Sequence, residues 1–251
     1  MKQFFLLIAT ATFLFSCKKD NDNSGYYKGD DVTVHHGKSW SWLKTDADGK
    51  PQQLGIALDA AAMNSVPNTG EHGHGHENHL AIPLHAKAIE STPYKFIMLN
   101  WNPEGHEPEQ IYGLPHFDFH FYMNPVEEVM AMVDMQKMDI VPSPDYFPPT
   151  YFTTPGGVPT MGKHWIDANA PELAGQVFTE TFLYGSYNGQ VTFYEPMITW
   201  NFLNTTASYE RNIPQPAKFQ KSGYYPTKMR VAKQGGTVNV ILDGFTYRQA
   251  S

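Results

Sequence analysis

A short segment that alternates between ionisable and aromatic residues is the part of this sequence best suited to chemistry. Residues 115–122 read PHFDFHFY. Because side chains alternate across a β-strand, His116, Asp118 and His120 are expected to share one face, and the phenylalanines the other. Imidazole and carboxylate groups are ligands for Zn, Fe, Mn and Cu. The segment therefore predicts a divalent transition-metal site on a strand that its aromatic face anchors in a core.

The spacing of the two strand histidines limits this prediction. An ideal strand rises about 3.3 Å per residue, which separates His116 from His120 by roughly 13 Å. Both rings reach one ion only if the strand bends or bulges. Two other arrangements fit the spacing: Asp118 and His120 share an ion, or Asp118 orients a histidine through a hydrogen bond. A polar strand face that is open to solvent is the alternative without a site.

A further histidine after a proline-rich segment completes the predicted ligand set. Residues 161–165 read MGKHW, which places His164 among apolar neighbours. One or both of the strand histidines, together with His164 and Glu180, would give two or three imidazoles and one carboxylate. The ordinary alternative for His164 is a core histidine whose hydrogen bonds are satisfied.

Two carboxylates in later apolar segments are candidates for the acidic ligand. Glu180 and Glu195 are both flanked by aromatic or aliphatic residues at alternate positions. A carboxylate on such a face must be paired, protonated or bound to metal. We expect Glu180 to be the ligand; His106 and Glu195 are secondary candidates. If the site is catalytic, Asp118 or Glu180 is the candidate general base toward a metal-bound water.

A Gly/His-rich loop is predicted over residues 68–79. Four imidazoles separated mainly by glycine can hold divalent ions loosely without any fold. We therefore expect loose metal capture, or simply a solvated loop, at a place separate from the main site. The histidines of this tract are His72, His74, His76 and His79.

The surrounding pattern predicts a mainly β fold, an antiparallel sandwich or barrel-like domain with one or two short helices. Apolar alternation marks the strands, and Asp-Gly, Asn-Gly and Gly-Gly pairs mark the turns between them. A proline-rich loop is expected over 142–159. The predicted strands cover residues 32–43, 54–58, 94–101, 116–122, 178–184, 191–197, 229–232 and 237–242.

One helix is expected directly after the segment that carries the histidines. Asn124 is a good N-cap, Pro125 suits the first helical position, and Glu127 completes a capping-box-like pattern. The apolar residues between 126 and 133 recur at helical spacing, which predicts one buried stripe. A single helical turn is also expected at residues 59–63, because Pro67 limits its extension.

The N-terminus has the features of an exported lipoprotein. Lys2 precedes an apolar run over residues 4–15, which is shorter than the about 20 residues that span a bilayer. The single cysteine, Cys17, follows this run in a lipobox-like context and is the expected lipidation site. We expect a signal peptide over 1–16, a polar tether over 17–30 and one β-rich domain over 31–251.

Charge and cysteine content exclude several classes of function. The formal net charge is −7 and no basic run exceeds two residues, so nucleic acid is not expected as a partner. Membrane contact is left to the lipid on Cys17, in the periplasm or on the surface of the outer membrane of a bacterial envelope. An acylated Cys17 leaves no thiol for a disulfide, a thiolate metal ligand or a nucleophile.

Several motifs together resemble a family of uncharacterised bacterial exported proteins. The motifs are WNPEGHEP at 101–108, PHFDFHFY at 115–122, GKHW at 162–165 and FYEPMIT at 193–199. The resemblance covers about residues 38–245 and implies that this stretch is one domain. The family has no assigned reaction, so no catalytic role follows from it, and the His-rich loop looks like a local insertion.

Three hypotheses about function remain open from the sequence. The first is an envelope lipoprotein with a His/carboxylate metal site, whose metal hydrolyses, oxidises or stabilises. The second is a non-enzymatic lipoprotein that captures metal or a small-molecule ligand for a transporter. The third is a structural envelope protein that forms homo-oligomers.

Overall fold

The computed structural model describes residues 24–67 and 79–251, and most of its regular structure is antiparallel β-strand. The strands are β1 (Gly25–Lys28), β2 (Val32–Val34), β3 (Gly37–Thr45), β4 (Pro51–Leu58), β5 (His79–Pro83), β6 (Phe96–Asn102), β7 (His116–Tyr122), β8 (Tyr151–Thr153), β9 (Lys163–Asp167), β10 (Glu180–Tyr187), β11 (Gln190–Thr199), β12 (Ser208–Asn212), β13 (Gly223–Tyr225), β14 (Lys228–Gln234), β15 (Thr237–Asp243) and β16 (Thr246–Arg248).

Two seven-stranded sheets pack against each other as a sandwich. The first sheet has the order β1-β3-β4-β15-β14-β12, with β2 also paired to β3, and the second has the order β5-β6-β7-β11-β10-β9-β8. Strands β13 and β16 form a small separate ribbon. Side chains from both sheets share one apolar core, to which Leu54 and Val240 of the first sheet and Phe119 of the second belong. The predicted fold class is confirmed.

The described residues contain six short α-helices, where one or two were expected. They are α1 (Ala60–Asn64), α2 (Ala86–Ser91), α3 (Glu109–Tyr112), α4 (Val126–Met130), α5 (Met135–Met138) and α6 (Trp200–Thr205).

The helix predicted after Asn124 is shorter than its pattern suggests. It is α4, which ends at Met130, and its N-cap residue is Pro125 without a side-chain hydrogen bond. The amide of Asn124 instead donates to Glu128. With little more than one turn, the helix cannot bury a stripe over 126–133, and Val133 is 59% exposed. The buried-stripe prediction is therefore wrong at Met130 within α4 and at Val133 beyond it.

Strand β7 lies in the middle of the second sheet, between β6 and β11. Its three phenylalanines are fully buried in the core between the sheets. By the alternation of a strand, His116, Asp118 and His120 project from the outer face of the second sheet. On β6, Asn102 pairs with His116 and Asn100 pairs with Asp118. The predicted division of this strand into an aromatic face and an ionisable face is present.

Connecting segments cover the outer face of the second sheet, and the proline-rich segment is one of them. Residues 142–159 were expected as an irregular loop, yet they contain a 3-10 turn at Pro144–Tyr146 and the edge strand β8. Thr154 and Val158 then reach over the outer face of the sheet. This segment therefore both extends the sheet and builds a wall above it.

The first described residues correct the predicted tether. Residues 17–30 were expected to stay unpacked, but β1 pairs with β3. Tyr27 packs against the core and the Tyr26 ring stacks on Trp42 at 5.7 Å between centroids. The tether prediction is therefore wrong over β1, because the rings of Tyr26 and Tyr27 pack against the folded domain. Residues 1–16 and Cys17 lie outside the described residues.

Within residues 24–67 and 79–251, none of the helices combines the length and apolar character that a membrane crossing requires.

Candidate metal centre

A cavity of about 380 Å³ opens over the outer face of the second sheet. Its floor carries Asp118 and His120 from β7 and Glu195 from β11. Its walls are largely apolar and come from the segments that cover the sheet and from side chains on β9, β10 and β11. The wall residues are His106, Glu107, Pro108, Tyr112, Thr154, Pro155, Val158, Met161, His164, Ile166, Leu183 and Met197.

The first group of ligand-type side chains in this cavity is the Glu195 triad, formed by His120, His164 and Glu195. They come from the three strands β7, β9 and β11. His120 Nε2 lies 3.3 Å from Glu195 Oε1, and His164 Nε2 lies 3.6 Å from Glu195 Oε2. One ligand atom from each residue lies within 4.8 Å of the others, which is close enough for all three to hold one ion.

Burial leaves part of the Glu195 triad without hydrogen bonds. His120 is fully buried, yet neither of its ring nitrogens has a hydrogen-bond partner among the described residues, and the same holds for Glu195 Oε2. An unsatisfied buried polar group costs about 1–3 kcal/mol. Native proteins rarely keep such groups without a bound water or ion. A cation between these atoms would satisfy them together.

The second group is the Asp118 triad, formed by His106, His116 and Asp118. His116 Nε2 lies 3.2 Å from Asp118 Oδ1, and His106 Nε2 lies 3.8 Å from Asp118 Oδ2. The rings of His106 and His116 meet edge to face, with 4.7 Å between centroids. As in the first triad, one ligand atom from each residue lies within 4.8 Å of the others.

Backbone carbonyls fix the orientation of both histidines in the Asp118 triad. His116 Nδ1 donates to the carbonyl of Leu114 at 2.7 Å, and His106 Nδ1 donates to the carbonyl of Glu107 at 2.9 Å. A carbonyl oxygen only accepts, so the proton of each ring sits on Nδ1. Metal-ligating histidines characteristically donate their second N–H in this way.

Burial and mutual charge perturb the titration of the cavity floor. Burial raises the pKa of Glu195 well above its usual range, and the negative charge of Asp118 adds to the rise. Burial would also raise the pKa of Asp118, but the nearby His116, His106 and His120 together outweigh it, and that pKa lies below its ordinary value. Burial lowers the pKa of His120 to about 3, although Asp118 opposes the shift. The floor therefore carries a neutral imidazole beside acids that repel each other.

The structure does not bring Glu180 to this cavity. Its carboxylate lies 3.1 Å from Arg211 Nη1 and accepts a hydrogen bond from the Tyr209 hydroxyl at 2.6 Å. Both partners are on β12 of the first sheet, so Glu180 links the two sheets. Glu180 alternates in phase with Phe182, a core residue, and so faces inward.

The secondary candidate Glu195 takes the position expected of Glu180. It lies out of phase with Tyr194, which belongs to the core between the sheets, and in phase with Met197, which lines the cavity. The alternation of core residues along each strand was thus the signal that distinguishes the two glutamates.

The other predicted ligands lie at the cavity, in two groups rather than one. His120 and His164 join Glu195, whereas His116 and the secondary candidate His106 join Asp118. The sharing of one ion by Asp118 and His120 is not the arrangement observed. Asp118 also approaches His116 at 3.2 Å, but the two atoms do not form the hydrogen bond by which Asp118 was expected to orient a histidine.

One contributor to the site was not predicted. The side chain of Asn102 donates from Nδ2 to Asp118 Oδ2 at 2.8 Å and so holds this carboxylate in place. Asn102 pairs with His116 across the β6–β7 ladder. The sequence signal was its position at the end of a predicted strand, before Pro103.

The His-rich tract contributes one described residue. His79 begins β5 and pairs with Asn100. The other three predicted capture residues lie outside the described residues, namely His72, His74 and His76.

Comparison with known proteins adds no relative to this description. No family model, no curated protein and no solved structure matches the chain. The resemblance of its motifs to exported bacterial proteins stays an expectation.

Proposed function

We propose that this protein binds a divalent transition-metal ion through the Glu195 triad. The observation that carries the proposal is His120, a fully buried histidine with two unsatisfied nitrogens that lies 3.3 Å from a buried carboxylate. Two imidazoles and one carboxylate form a ligand set that suits Zn, Fe, Mn or Cu. Because Cys17 is the only cysteine, thiolate ligands do not enter the choice of metal.

The open cavity supports a reactive or ligand-binding site rather than a closed structural one. Structural zinc is usually held by four protein ligands, whereas catalytic zinc keeps a position for water or substrate. The Glu195 triad supplies three ligands beneath a cavity of about 380 Å³. A small molecule with a largely apolar body fits walls that include Met161, Ile166 and Leu183. Hydrolysis at a metal-bound water is one reaction class that this arrangement serves.

The proposed location is a bacterial cell envelope, with the protein anchored through lipid on Cys17. The support is the sequence of residues 1–19, in which a short apolar run ends at the cysteine and two lysines follow it. The first described strand begins at Gly25, shortly after the proposed anchor. The domain would therefore sit close to the membrane surface.

Elemental analysis of the purified full-length chain tests the metal proposal. Protein produced in metal-replete medium is compared with His164→Ala, and with His36→Ala as a matched control whose histidine is exposed and remote from the cavity. We expect stoichiometric metal in the wild type and in His36→Ala, and less in His164→Ala. Wild-type protein without stoichiometric metal would refute the proposal.

Metal capture is a second candidate function, and the position of the His-rich tract favours it. The tract leads directly into β5, in the same sheet as the site strands β7 and β11. A capture role predicts that the His72→Ala/His74→Ala/His76→Ala variant takes up less metal from a limiting supply. An enzyme would keep its full metal content and its activity in this variant.

A further inference from the structure

We propose that the same cavity holds a second divalent transition-metal ion, bound by the Asp118 triad. This inference rests on the proposed function, because the second ion would share the cavity of the first. The Asp118 triad differs in every residue from the Glu195 triad, so the two ions would be held by separate ligands. The protein would then contain a two-ion centre on the outer face of the second sheet.

Unsatisfied buried atoms are the first support for the second ion. His116 is fully buried and Asp118 nearly so. His116 Nε2 and Asp118 Oδ1 lie 3.2 Å apart, but their geometry is not that of a hydrogen bond, and neither atom has another such partner among the described residues. Two buried ligand atoms thus lie side by side with their bonding capacity unused, at a separation that suits neighbouring ligands of one cation.

The fixed tautomers of the histidines are the second support. Since His106 and His116 both donate from Nδ1 to backbone carbonyls, Nε2 is the nitrogen of each ring that faces Asp118. The amide of Asn102 holds Asp118 Oδ2 and leaves Oδ1 for another partner. Such outer hydrogen bonds orient ligands before the metal arrives.

An ion pair between a protonated His116 and Asp118 is the competing explanation. In that pair, Nε2 of His116 would carry a proton and donate it to Asp118 Oδ1. The geometry of these two atoms does not favour such a bond. An ion pair needs only His116 and Asp118. A metal site also needs a third ligand, and His106 supplies it.

The two triads are neighbours on one strand. Asp118 and His120 are alternate residues of β7 on the same face, and their backbones are therefore about 6.6 Å apart. Both side chains line the same cavity. The carboxylates of Asp118 and Glu195 face one cavity and repel each other. Two divalent cations bound there would offset this repulsion with attractive interactions.

Metal stoichiometry tests this inference. The full-length chain, with His72, His74 and His76 replaced by alanine to remove loose binding, is stripped of metal and titrated with Zn²⁺. Bound zinc is then counted after gel filtration, and circular dichroism checks that each variant is folded. We expect two zinc ions per chain in this background, one after His106→Ala and one after His164→Ala.

The outcomes separate the second ion from the proposed function. One zinc per chain that is lost in His164→Ala and kept in His106→Ala would overturn the second ion and leave the proposed function standing. No bound zinc would overturn both. Asp118→Asn provides an independent variant, because it keeps the shape of the side chain while removing its charge. Two ions retained in both His106→Ala and Asp118→Asn would also overturn the assignment.

Discussion

The two faces of β7 are similarly buried, but they differ in whether their polar atoms have hydrogen-bond partners. Phe119 on the inner face and His120 on the outer face are both fully buried. Phe119 has apolar neighbours from both sheets, whereas both ring nitrogens of His120 lack hydrogen-bond partners within the described parts of the chain. On this strand, burial alone therefore marks the core face, and burial with unused bonding capacity marks the face that carries the candidate site.

The inner face of β7 contributes favourably to the free energy of folding, whereas the unsatisfied polar atoms of the outer face contribute unfavourably. Burying a large apolar side chain contributes about 1.5–3 kcal/mol, while an unsatisfied buried polar group costs about 1–3 kcal/mol. On one strand these terms have opposite signs and similar size.

Phe119→Ala should destabilise the metal-free protein by about 3–5 kcal/mol, because it leaves a cavity between two packed sheets. Chemical denaturation gives the free energy of unfolding. The variant should keep the metal stoichiometry of the wild type under conditions in which it is folded. A loss below about 1 kcal/mol would mean that the inner face does not carry the stability assigned to it.

Zinc should stabilise the wild type through the outer face. A ligand at a hundred times its dissociation constant raises the free energy of unfolding by about 2.7 kcal/mol for each site. Thermal melts with and without zinc measure this gain. It should be clearly smaller in His164→Ala and unchanged in His36→Ala. Equal gains in all three proteins would show that zinc acts elsewhere.

Glu180→Gln should lower the free energy of unfolding by about 1–2 kcal/mol and leave metal binding intact. The substitution weakens the charged hydrogen bonds to Tyr209 and Arg211 that link the sheets. Denaturation and metal analysis on the same sample measure both properties. A loss of metal would place Glu180 among the ligands after all.

His120→Leu should abolish metal binding by the Glu195 triad and stabilise the metal-free protein by about 1 kcal/mol. Leucine removes two unsatisfied nitrogens from a fully buried position. Denaturation after chelation and dialysis measures the effect. Destabilisation above about 1 kcal/mol would indicate that unused bonding capacity at His120 is not a cost.

Local alternation predicted the parts of the site that lie on one strand. Residues 115–122 were sufficient to place the ionisable groups on one face and the phenylalanines on the other. The mainly β fold followed from the same rule, and the hairpins β3–β4, β10–β11 and β14–β15 followed from their turn residues. What alternation does not give is the phase of one strand relative to another. Glu180 was therefore chosen over Glu195, although only Glu195 faces the same side as His120.

Contacts made by connecting segments could not be predicted from the sequence. His106 reaches Asp118 from the segment between β6 and α3, and no local pattern fixes the path of such a loop. The split into two triads depends on this path. Likewise, α4 was overestimated because its apolar spacing continues after the helix has ended at Met130.

The cavity lies on the outer face of the second sheet, outside the core shared by the sheets. Rearranging the segments above it leaves the interior of the sandwich in place. Ions could therefore enter and leave a fully folded chain at rates unrelated to its global unfolding rate. Strong denaturation resistance would then coexist with ready exchange of bound metal.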